Sequence, residues 1–260
     1  MGKLENKVAV VTGASGGLGR AIAIGYATEG SKVVCASRKK EPPEAEPFFP
    51  GVSTVDYIRN NGGIAEFFSC DVTKMENVEA LIQYAVQTFG RLDVIVNNAG
   101  VFTKLAPIHE LDDYDWDQTM LVNGKGVFNG CRQAVQQFIK QGGGGVIVNV
   151  SSIGGLVGLA NETCYCASKG AVANMTRAIA VDYGKHNIRV NALCPGFSPT
   201  AMTAKSYAND SRRSFIEGLT PLGRWMDARE IVGPAVFLAS DDSSYVTGHM
   251  LAVDGGYTIM

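Results

Sequence analysis

A glycine-rich turn near the start of the chain limits the folds open to it. Residues 8–11 form a short apolar run of the kind found in a parallel strand that is covered on both faces. The turn that follows carries Gly13, Gly17 and Gly19, and residues 20–29 have the apolar periodicity of a helix. Glycine lets the backbone approach a ligand closely, and a helix N-terminus presents free N–H groups to an anion. The order strand, turn, helix therefore predicts a turn that can hold a dinucleotide pyrophosphate, although a tight turn without a ligand stays open at this point.

Strands and helices alternate along the whole sequence. This alternation is typical of a doubly wound parallel sheet, because right-handed crossovers place helices on both faces. We predict one Rossmann-type α/β domain over residues 1–260, with strand order 3-2-1-4-5-6-7. The predicted strands cover residues 8–11, 32–36, 65–70, 92–96, 146–150, 188–193 and 249–253. The predicted helices cover residues 20–29, 54–60, 73–89, 113–140, 163–185 and 227–239.

Short patterns predict how particular helices begin and bend. Thr73 with Glu76, and Asp227 with Glu230, have the spacing of a capping box at a helix start. Residues 123–126 read Asn-Gly-Lys-Gly, and because glycine is costly inside a helix, they predict a bend. The side chains of this helical region that we predict as core contacts are Trp116, Met120, Val127 and Phe128.

Composition argues against several classes of protein. Hydrophobic residues make up 46% and charged residues 18% of the 260 residues, as in a soluble globular protein. The formal net charge of −2 gives no electrostatic reason to expect nucleic acid or an anionic membrane as a partner. No apolar run approaches the ~18 residues of a membrane-spanning helix, and the N-terminus lacks an apolar signal region, so we expect a cytoplasmic protein. The six cysteines are scattered, which favours reduced, mostly buried thiols over disulfides or a metal site.

The end of the second predicted strand bears on which dinucleotide binds. In such a site this strand end meets the adenosine ribose, where an acidic residue selects a 2′-hydroxyl and arginine accommodates a 2′-phosphate. Here the sequence is basic, Ser37-Arg38-Lys39-Lys40. We therefore predict a preference for NADP(H), with NAD(H) or a merely solvated basic cluster as alternatives. Residues 41–50 hold four of the nine prolines and predict an irregular loop insertion at this end of the site.

Most of the polar and glycine motifs follow predicted strands directly. The carboxyl ends of parallel strands share one edge of the sheet, where ligands bind. Tyr165 and Lys169 lie four residues apart near the start of the helix after the fifth strand, so they share one helix face at this edge. An ammonium group near a phenol lowers the pKa of the phenol, which makes the pair a candidate acid–base device. The motifs that follow strands three to six are Asp71-Val72, Asn97-Asn98-Ala99-Gly100, Ser152 and Pro195-Gly196.

Together these motifs resemble the short-chain dehydrogenase/reductase family over residues 8–257. The matching features are Thr12-Gly13-x-x-x-Gly17-x-Gly19, Asp71, Asn97-Asn98-Ala99-Gly100, Asn123, Ser152, Tyr165-x-x-x-Lys169 and Pro195-Gly196 with Thr200. Ser152 precedes Tyr165 by 13 residues, as the family pattern requires. The resemblance implies a nicotinamide dinucleotide as cofactor, no metal, and a homotetramer or homodimer.

The resemblance also implies roles for individual residues. Tyr165 would be the general acid in carbonyl reduction and, as a phenolate, the base in alcohol oxidation. Lys169 would lower the Tyr165 pKa and contact the nicotinamide ribose. Ser152 would hold the substrate oxygen, and Asn123 would anchor a water in a proton relay. The residues implied to bind the cofactor are Gly13, Ser15, Gly17, Leu18, Gly19, Ser37, Arg38, Asp71, Val72, Asn97, Asn98, Ala99, Gly100, Tyr165, Lys169, Pro195, Gly196 and Thr200.

The resulting expectation is an NADP(H)-dependent carbonyl reductase or alcohol dehydrogenase that acts on a small carbonyl or secondary alcohol. Two alternatives stay open: an NAD(H)-dependent sugar or polyol dehydrogenase, and a non-catalytic dinucleotide-binding sensor or scaffold. A reductase of acyl-carrier thioesters ranks lower, because the sequence has no dedicated basic patch for an acidic carrier. The family resemblance marks residues 197–220 as a substrate lid, and their polar sequence indicates no particular substrate.

Overall fold

Seven parallel strands form one sheet in the computed structural model, which describes residues 2–44, 46 and 51–260. The strands are β1 (Val8–Thr12), β2 (Lys32–Ser37), β3 (Ile64–Ser69), β4 (Val94–Asn97), β5 (Gly145–Val150), β6 (Ile188–Pro195) and β7 (Met250–Val253). Their order across the sheet is β3-β2-β1-β4-β5-β6-β7, and every neighbouring pair is parallel. The predicted fold class and strand order are confirmed.

Nine α-helices within the described residues connect and flank these strands. They are α1 (Gly17–Thr28), α2 (Thr54–Asn60), α3 (Met75–Phe89), α4 (Asp113–Thr119), α5 (Gly126–Gln141), α6 (Thr163–Tyr183), α7 (Ala204–Ala208), α8 (Asp210–Gly218) and α9 (Val232–Ala239). Short 3-10 turns lie at Ile108–Glu110, Ile153–Gly155, Gly184–His186, Ala228–Ile231, Asp241–Ser243 and Tyr257–Ile259. None of the helices described combines the length and the apolar character that crossing a bilayer requires.

Both faces of the sheet are buried, because successive side chains of a strand point to opposite faces. Ala9 and Val11 belong to the core that α1, α2 and α9 cover, whereas Val10 belongs to the core under α3, α5 and α6. All the residues of β1 are buried, as expected for an inner strand of a doubly covered sheet. Apolar side chains therefore fill the two faces, and the polar motifs are left to the strand ends.

The Pro-rich segment is described only in part. Residues 41–44 and 46 form no helix or strand, and residues 45 and 47–50 lie outside the described residues. α2 begins at Thr54, as predicted, with Ser53 as its N-cap. Ser53 Oγ accepts a hydrogen bond from Asp56 N–H at 3.1 Å, which satisfies one of the free donors at the helix start.

One of the two predicted capping boxes is present. Asp227 and Glu230 form it at the start of the 3-10 turn that leads into α9. The box at Thr73 is wrong: α3 begins at Met75 without a side-chain cap, and the Thr73 hydroxyl donates to Asp71 Oδ1 at 2.7 Å instead. The Thr73 N–H also donates to Asp71 Oδ1, so both donors of Thr73 are directed to Asp71, and Lys74 rather than Thr73 occupies the N-cap position.

The predicted bend in the region 113–140 is a π-helical segment. Met120–Lys125 joins α4 to α5 in π geometry and buries Asn123 and Gly124. A π segment inserts an extra residue into a helix and is frequent at functional sites. The polar residue inside this helical region is thus turned inward rather than toward solvent.

Two of the predicted core contacts in the same region are wrong. Val127 is buried, but Trp116 and Phe128 are 46% and 48% exposed. α4 turns Asp115 and Thr119 inward, so Trp116 lies on its outer side. Phe128 follows the π segment, whose extra residue shifts the inward face, so a helical period extended across it fails.

Replacing Gly130 of α5 with alanine should destabilise the fold. A Cβ on Gly130 would clash with Asn97 Oδ1 at the contact of α5 with β4, and the Asn97 amide is itself held by Asn149. We expect a loss of about 2–3 kcal/mol in the free energy of unfolding. Gly170→Ala in α6 is the matched control, because no neighbouring atom lies within 4 Å of its Cβ position. That variant should gain up to ~1 kcal/mol from helix propensity. Denaturant unfolding followed by circular dichroism measures both, and equal midpoints would contradict the prediction.

Candidate active site

The carboxyl ends of β1 and β4 are tied together by one hydroxyl. Thr12 Oγ1 accepts hydrogen bonds from the N–H groups of Asn98 (2.9 Å) and Ala99 (3.1 Å). The Asn98 side chain in turn donates to Thr12 O at 2.9 Å. Gly13 has φ +67°, and a Cβ on it would lie 2.8 Å from Asn98 Nδ2, so the turn requires glycine here. The glycine turn and residues 97–100 therefore lie against each other.

A carboxylate lies at the N-terminus of α1. Gly17 N–H donates to Glu46 Oε2 at 2.7 Å, and Glu46 is 4% exposed. α1 has no acidic residue in its first turn and no side-chain cap at Gly16, so Glu46 provides the negative charge that a helix N-terminus attracts. Burial lowers the pKa of the nearby Arg20, and the charge of Glu46 opposes that shift. No local pattern in the sequence indicated this contact, which joins residues 29 apart.

The end of β2 joins the glycine turn. Ser37 Oγ accepts a hydrogen bond from Ser15 N–H at 3.0 Å, and both residues border a small recess. Arg38 is exposed and forms no salt bridge with a described residue. Lys40, by contrast, pairs with Asp56 of α2 at 3.0 Å. Within the predicted basic cluster, Arg38 is thus accessible to a ligand, whereas Lys40 is held by the helix.

Two predicted cofactor residues have side chains engaged with the protein. Asp71 Oδ1 accepts hydrogen bonds from the N–H (3.0 Å) and the hydroxyl (2.7 Å) of Thr73. Burial alone would raise the Asp71 pKa, but these hydrogen bonds outweigh it and the pKa lies below its ordinary value. Asn97 Nδ2 donates to Asn149 Oδ1 at 2.9 Å inside the core. The Asn97 side chain therefore supports strand packing and does not face the edge of the sheet.

The segment after β6 reaches the glycine turn. A Cβ on Gly17 would lie 3.3 Å from Thr200 Cγ2, so Thr200 lies beside the start of α1. A Cβ on Gly196, directly after β6, would lie 2.9 Å from the backbone that follows β7. Leu18 and Val72 are partly buried and pack against the two cores. The predicted cofactor residues at the ends of β1, β3 and β6 thus border one edge of the sheet.

Asn123 connects the π segment to two other parts of the site. Its Oδ1 accepts a hydrogen bond from Val101 N–H at 2.8 Å, and its Nδ2 donates to Val101 O at 3.0 Å. The same Nδ2 donates to Ser168 Oγ at 3.1 Å, and Ser168 Oγ donates to Tyr165 O at 2.7 Å. Asn123 therefore fixes the chain after β4 against the helix that carries Tyr165.

Ser152, Tyr165 and Lys169 converge at the carboxyl end of β5. The Ser152 side chain lies beside the Tyr165 hydroxyl and acts on its pKa. Lys169 Nζ donates to Val150 O at 2.8 Å and lies 5.7 Å from the centre of the Tyr165 ring. The ring of Phe102 contacts that ring edge-on, with 5.5 Å between centroids. This contact was not predicted, because no periodicity marks an aromatic residue in the irregular stretch after β4.

Burial sets the proton affinities of this group. It raises the pKa of the half-buried Tyr165 to about 12, although the Ser152 side chain opposes the rise. It lowers the pKa of the fully buried Lys169 to about 8. The net effect on the Tyr165 pKa is therefore a rise, and the expectation that Lys169 lowers this pKa stays a prediction. The ammonium group faces the Val150 carbonyl, and the cost of burying a phenolate is the larger effect.

Few other side chains of the described residues are candidates for a catalytic or metal-binding role. All six cysteines are free thiols, and five of them are buried. Within residues 2–44, 46 and 51–260, no group of three or more His, Cys, Asp or Glu side chains is placed to hold a metal ion. Glu162, which no sequence motif singled out, is buried at the start of α6.

Comparison with known proteins gives matches over nearly the whole chain. Residues 13–258 match a protein-family model described as enoyl-(acyl carrier protein) reductase. The chain is 39% identical over 254 residues to 2-dehydro-3-deoxy-D-gluconate 5-dehydrogenase of Escherichia coli (strain K12), covering 98% of this chain and 96% of that protein. The structure of a gluconate 5-dehydrogenase from Burkholderia cenocepacia J2315 in complex with NADP and tartrate matches with a TM-score of 0.90, at 31% identity over 99% of this chain and 97% of the other. Carveol dehydrogenase from Mycobacterium avium in complex with NAD also matches with a TM-score of 0.90, at 31% identity over 100% of both chains.

The buried ammonium group of Lys169 makes a testable contribution to stability. Its pKa is about 8 in the folded protein and 10.5 in the ordinary side chain, so the folded protein releases this proton first as the pH rises. The cost of the buried charge is complete below pH 8 and is relieved above it. Through this group alone, the free energy of unfolding should rise by about 2 kcal/mol between pH 7 and pH 9.5.

Lys169→Met should lack that part of the rise, whereas the exposed Lys185→Met should keep it. Urea unfolding of the wild type and both variants at the two pH values measures the difference. A pH dependence of Lys169→Met parallel to that of the wild type would show that the folded protein does not lower this pKa.

Proposed function

Because the chain belongs to the short-chain dehydrogenase/reductase family, we propose that it is an NADP(H)-dependent oxidoreductase that transfers a hydride between the nicotinamide and a carbonyl or secondary alcohol. The observation that carries this proposal is the convergence of three side chains at the end of β5. The Tyr165 hydroxyl lies beside the Ser152 side chain, and Lys169 Nζ lies 5.7 Å from the centre of the Tyr165 ring. A proton donor, a second hydroxyl and a cation are thus held together at the ligand-binding edge of the sheet.

Two hydroxyl groups are arranged to act on one substrate oxygen. When bound, the nicotinamide supplies or accepts the hydride. In reduction, the Ser152 hydroxyl would donate a hydrogen bond to the oxygen on which charge develops, and Tyr165 would give it a proton. A pKa of about 12 keeps Tyr165 protonated at neutral pH, as an acid requires. In oxidation Tyr165 would act as a phenolate, which the nearby Lys169 ammonium group would stabilise.

Lys169 is placed to pass that proton onward, and Asn123 to anchor a water beside it. A Cβ on Gly100 would lie 3.3 Å from Asn123 Oδ1 and 3.7 Å from Lys169 Nζ, so both groups border one small space. Lys169, with a pKa of about 8, can gain and lose a proton close to neutral pH. These two observations support a proton relay behind Tyr165 that runs through Lys169 and a water anchored by Asn123.

The described residues fit a dinucleotide at the glycine turn with one exception. A Cβ on Gly19 would clash with Gly13 O, so the turn is closely packed, and Gly17 presents its N–H at the start of α1. Arg38 is exposed at the end of β2, where the 2′-phosphate of NADP(H) would lie. The exception is Glu46, which accepts the hydrogen bond from Gly17 N–H that the pyrophosphate would use. Two anions repel each other at one donor, so binding would require this carboxylate to move.

For the substrate we propose a small polyhydroxylated alcohol or sugar acid and its keto form. Similarity to the Escherichia coli and Burkholderia cenocepacia enzymes, both named for gluconate derivatives, supports this class. NAD(H) remains the alternative cofactor, since the similar carveol dehydrogenase was solved with NAD. A non-catalytic scaffold is less well supported, because Ser152, Tyr165 and Lys169 are all retained and lie together.

Tyr165→Phe should remove turnover and leave cofactor binding intact. Loss of the phenol proton should lower kcat/KM by about 10²–10⁴-fold, the usual contribution of a positioned acid or base. The assay is a panel of polyols, sugar acids, ketones and secondary alcohols with NADP(H) and NAD(H), with NADPH binding measured by fluorescence. Tyr183→Phe, near the end of the same helix, is the matched control and should behave as the wild type. Near-normal turnover in Tyr165→Phe would reject the mechanism, and tight NADPH binding by a wild type without turnover would favour the scaffold.

Titration of both reduced cofactors tests the proposed preference. Arg38→Gln should weaken NADPH binding about tenfold or more, because a charge-assisted contact to the 2′-phosphate is lost, and should leave NADH binding within about twofold. Isothermal titration of the wild type and the variant measures both dissociation constants. A wild type that binds NADH more than about tenfold tighter than NADPH would overturn the preference assigned to Arg38.

Glu46→Gln is the companion variant in the same titration. A neutral amide competes less strongly than a carboxylate for Gly17 N–H, so both cofactors should bind about threefold tighter. The two variants are distinguishable because the pyrophosphate is common to both dinucleotides, whereas the 2′-phosphate is not. Unchanged binding in Glu46→Gln would show that the carboxylate does not oppose the pyrophosphate.

A further inference from the structure

The residue before helix α6 carries a buried carboxylate that does not cap the helix. Glu162 is the N-cap of α6, three residues before Tyr165, yet its side chain accepts no hydrogen bond from the first turn. The short side chains of Asp, Asn, Ser and Thr ordinarily accept such a bond, and the longer Glu162 side chain extends elsewhere. Glu162 is 7% exposed, so its charge must be compensated within the protein.

The partner of this carboxylate is Arg212, in the first turn of helix α8. Arg212 Nη2 lies 3.4 Å from Glu162 Oε1, and the two side chains are 29% and 8% exposed. In the described part of the chain, no other salt bridge joins residues 197–220 to the rest of the protein. Arg213 pairs with Asp210 inside α8 instead. Glu162 is therefore the charged attachment point of the proposed lid.

Aromatic contacts hold the lid on its other side. Tyr207 of α7 packs edge-on against Trp225 at 5.2 Å, and Trp225 lies 5.4 Å from Phe197. Phe197 in turn lies 5.7 Å from Tyr257, in the last 3-10 turn. These rings attach the lid to the C-terminal part of the chain. The ion pair with Glu162 attaches it to the helix that carries the proton donor.

The ion pair between Glu162 and Arg212 stabilises the buried carboxylate, because burying a carboxylate without a counter-ion costs free energy. Burial raises the pKa of Glu162, and the charge of Arg212 opposes that rise. The Tyr257 hydroxyl lies within reach of both charges: burial raises its pKa, Glu162 raises it further and Arg212 lowers it. Movement of α8 away from α6 would leave the Glu162 carboxylate buried and uncompensated.

The Glu162 charge also acts on the group that transfers the proton. Burial is the main cause of the raised Tyr165 pKa, Ser152 opposes it, and Glu162 and Cys166 add to it. The cation beside Tyr165 is Lys169, with Nζ 5.7 Å from the ring centre. A carboxylate that is paired with an arginine opposes a nearby phenolate less than an unpaired one does.

We propose that Glu162 is a positioning residue for hydride transfer, an inference that rests on the proposed function. Its ion pair with Arg212 fastens α8 to the start of α6 and holds residues 197–220 beside Tyr165. Closure of the lid forms the pair, and opening breaks it and leaves the Glu162 carboxylate, three residues before Tyr165 at the start of α6, without its counter-ion. Proton transfer at Tyr165 is thereby favoured when the lid is closed.

The test compares the NADPH-bound wild type with Glu162→Gln, Arg212→Gln and the double variant. Hydrogen exchange of the amides in residues 210–218 should be about tenfold faster in each variant, because α8 opens more often. In alcohol oxidation, KM for the substrate should rise about tenfold while kcat changes by less than about threefold. Glu162→Gln should also move the acid limb of the pH–rate profile down by about half a pH unit, because the charge that opposes the phenolate is gone.

Three comparisons separate this role from simple destabilisation. The double variant should be no worse than either single variant, since both substitutions break one interaction. Arg212→Lys, which keeps a cation, should retain most of the wild-type KM, and Arg132→Gln, at an exposed arginine of α5 outside the lid, should leave KM and the acid limb unchanged. Exchange in Glu162→Gln within twofold of the wild type, or additive effects in the double variant, would overturn the inference. Hydrogen exchange needs no turnover, so a wild type that binds NADPH but turns over nothing would reject the proposed function, and the exchange data would still decide whether Glu162 fastens α8.

Discussion

A buried amide pair holds the sheet and the helix of Tyr165 in one register. Asn97 and Asn149 lie opposite each other in β4 and β5, and Asn97 Nδ2 donates to Asn149 Oδ1 at 2.9 Å. Asn149 Nδ2 donates to Thr176 Oγ1, also at 2.9 Å, which reaches α6 about two turns beyond Lys169. Buried polar groups are costly unless they are satisfied, so this chain of bonds strongly favours one arrangement of strand and helix. The position of Tyr165 relative to the carboxyl ends of the strands depends on this chain of hydrogen bonds.

The first part of α6 also contains buried charged side chains. Selection for stability alone would not favour such residues. Lys169 is buried with a hydrogen bond to the Val150 carbonyl, and Glu162 is buried against an arginine at 3.4 Å. Replacement of such groups by apolar ones is often neutral or stabilising. Polar burial that works against the core is typical of functional positions. The cost is offset by the satisfied amide network beneath, which keeps α6 in place whether or not these charges are paired.

Local signals account for what could be predicted from the sequence. Apolar runs and helical periods indicated the strands and most helices, and parallel pairing then placed Ser152, Tyr165 and the glycine turn at one edge. Predictions failed where a nearby group changed the local outcome. Thr73 is bound through its N–H and hydroxyl to Asp71 and does not reach the N-cap position of α3, and the π segment shifted the face on which Phe128 lies. Asp71 and the residues of the π segment can both be read in the sequence. Only the three-dimensional arrangement decides whether their interactions prevail over the expected helix geometry.

Contacts between segments that are distant in the sequence could not be predicted. Two that were missed lie where a cofactor or a substrate would bind, not in the core of the fold. Glu46 meets the start of α1 from the Pro-rich segment, and Arg212 meets Glu162 from the segment after β6. No period or motif links either pair, because each joins a connecting segment to a helix start. Tyr165 and Lys169 lie on α6, whose register is set by the amide network. Under the proposed function, the ionic contacts of Glu46 and Arg212 would govern access of cofactor and substrate, so the segments that carry them can change what is bound without disturbing Tyr165.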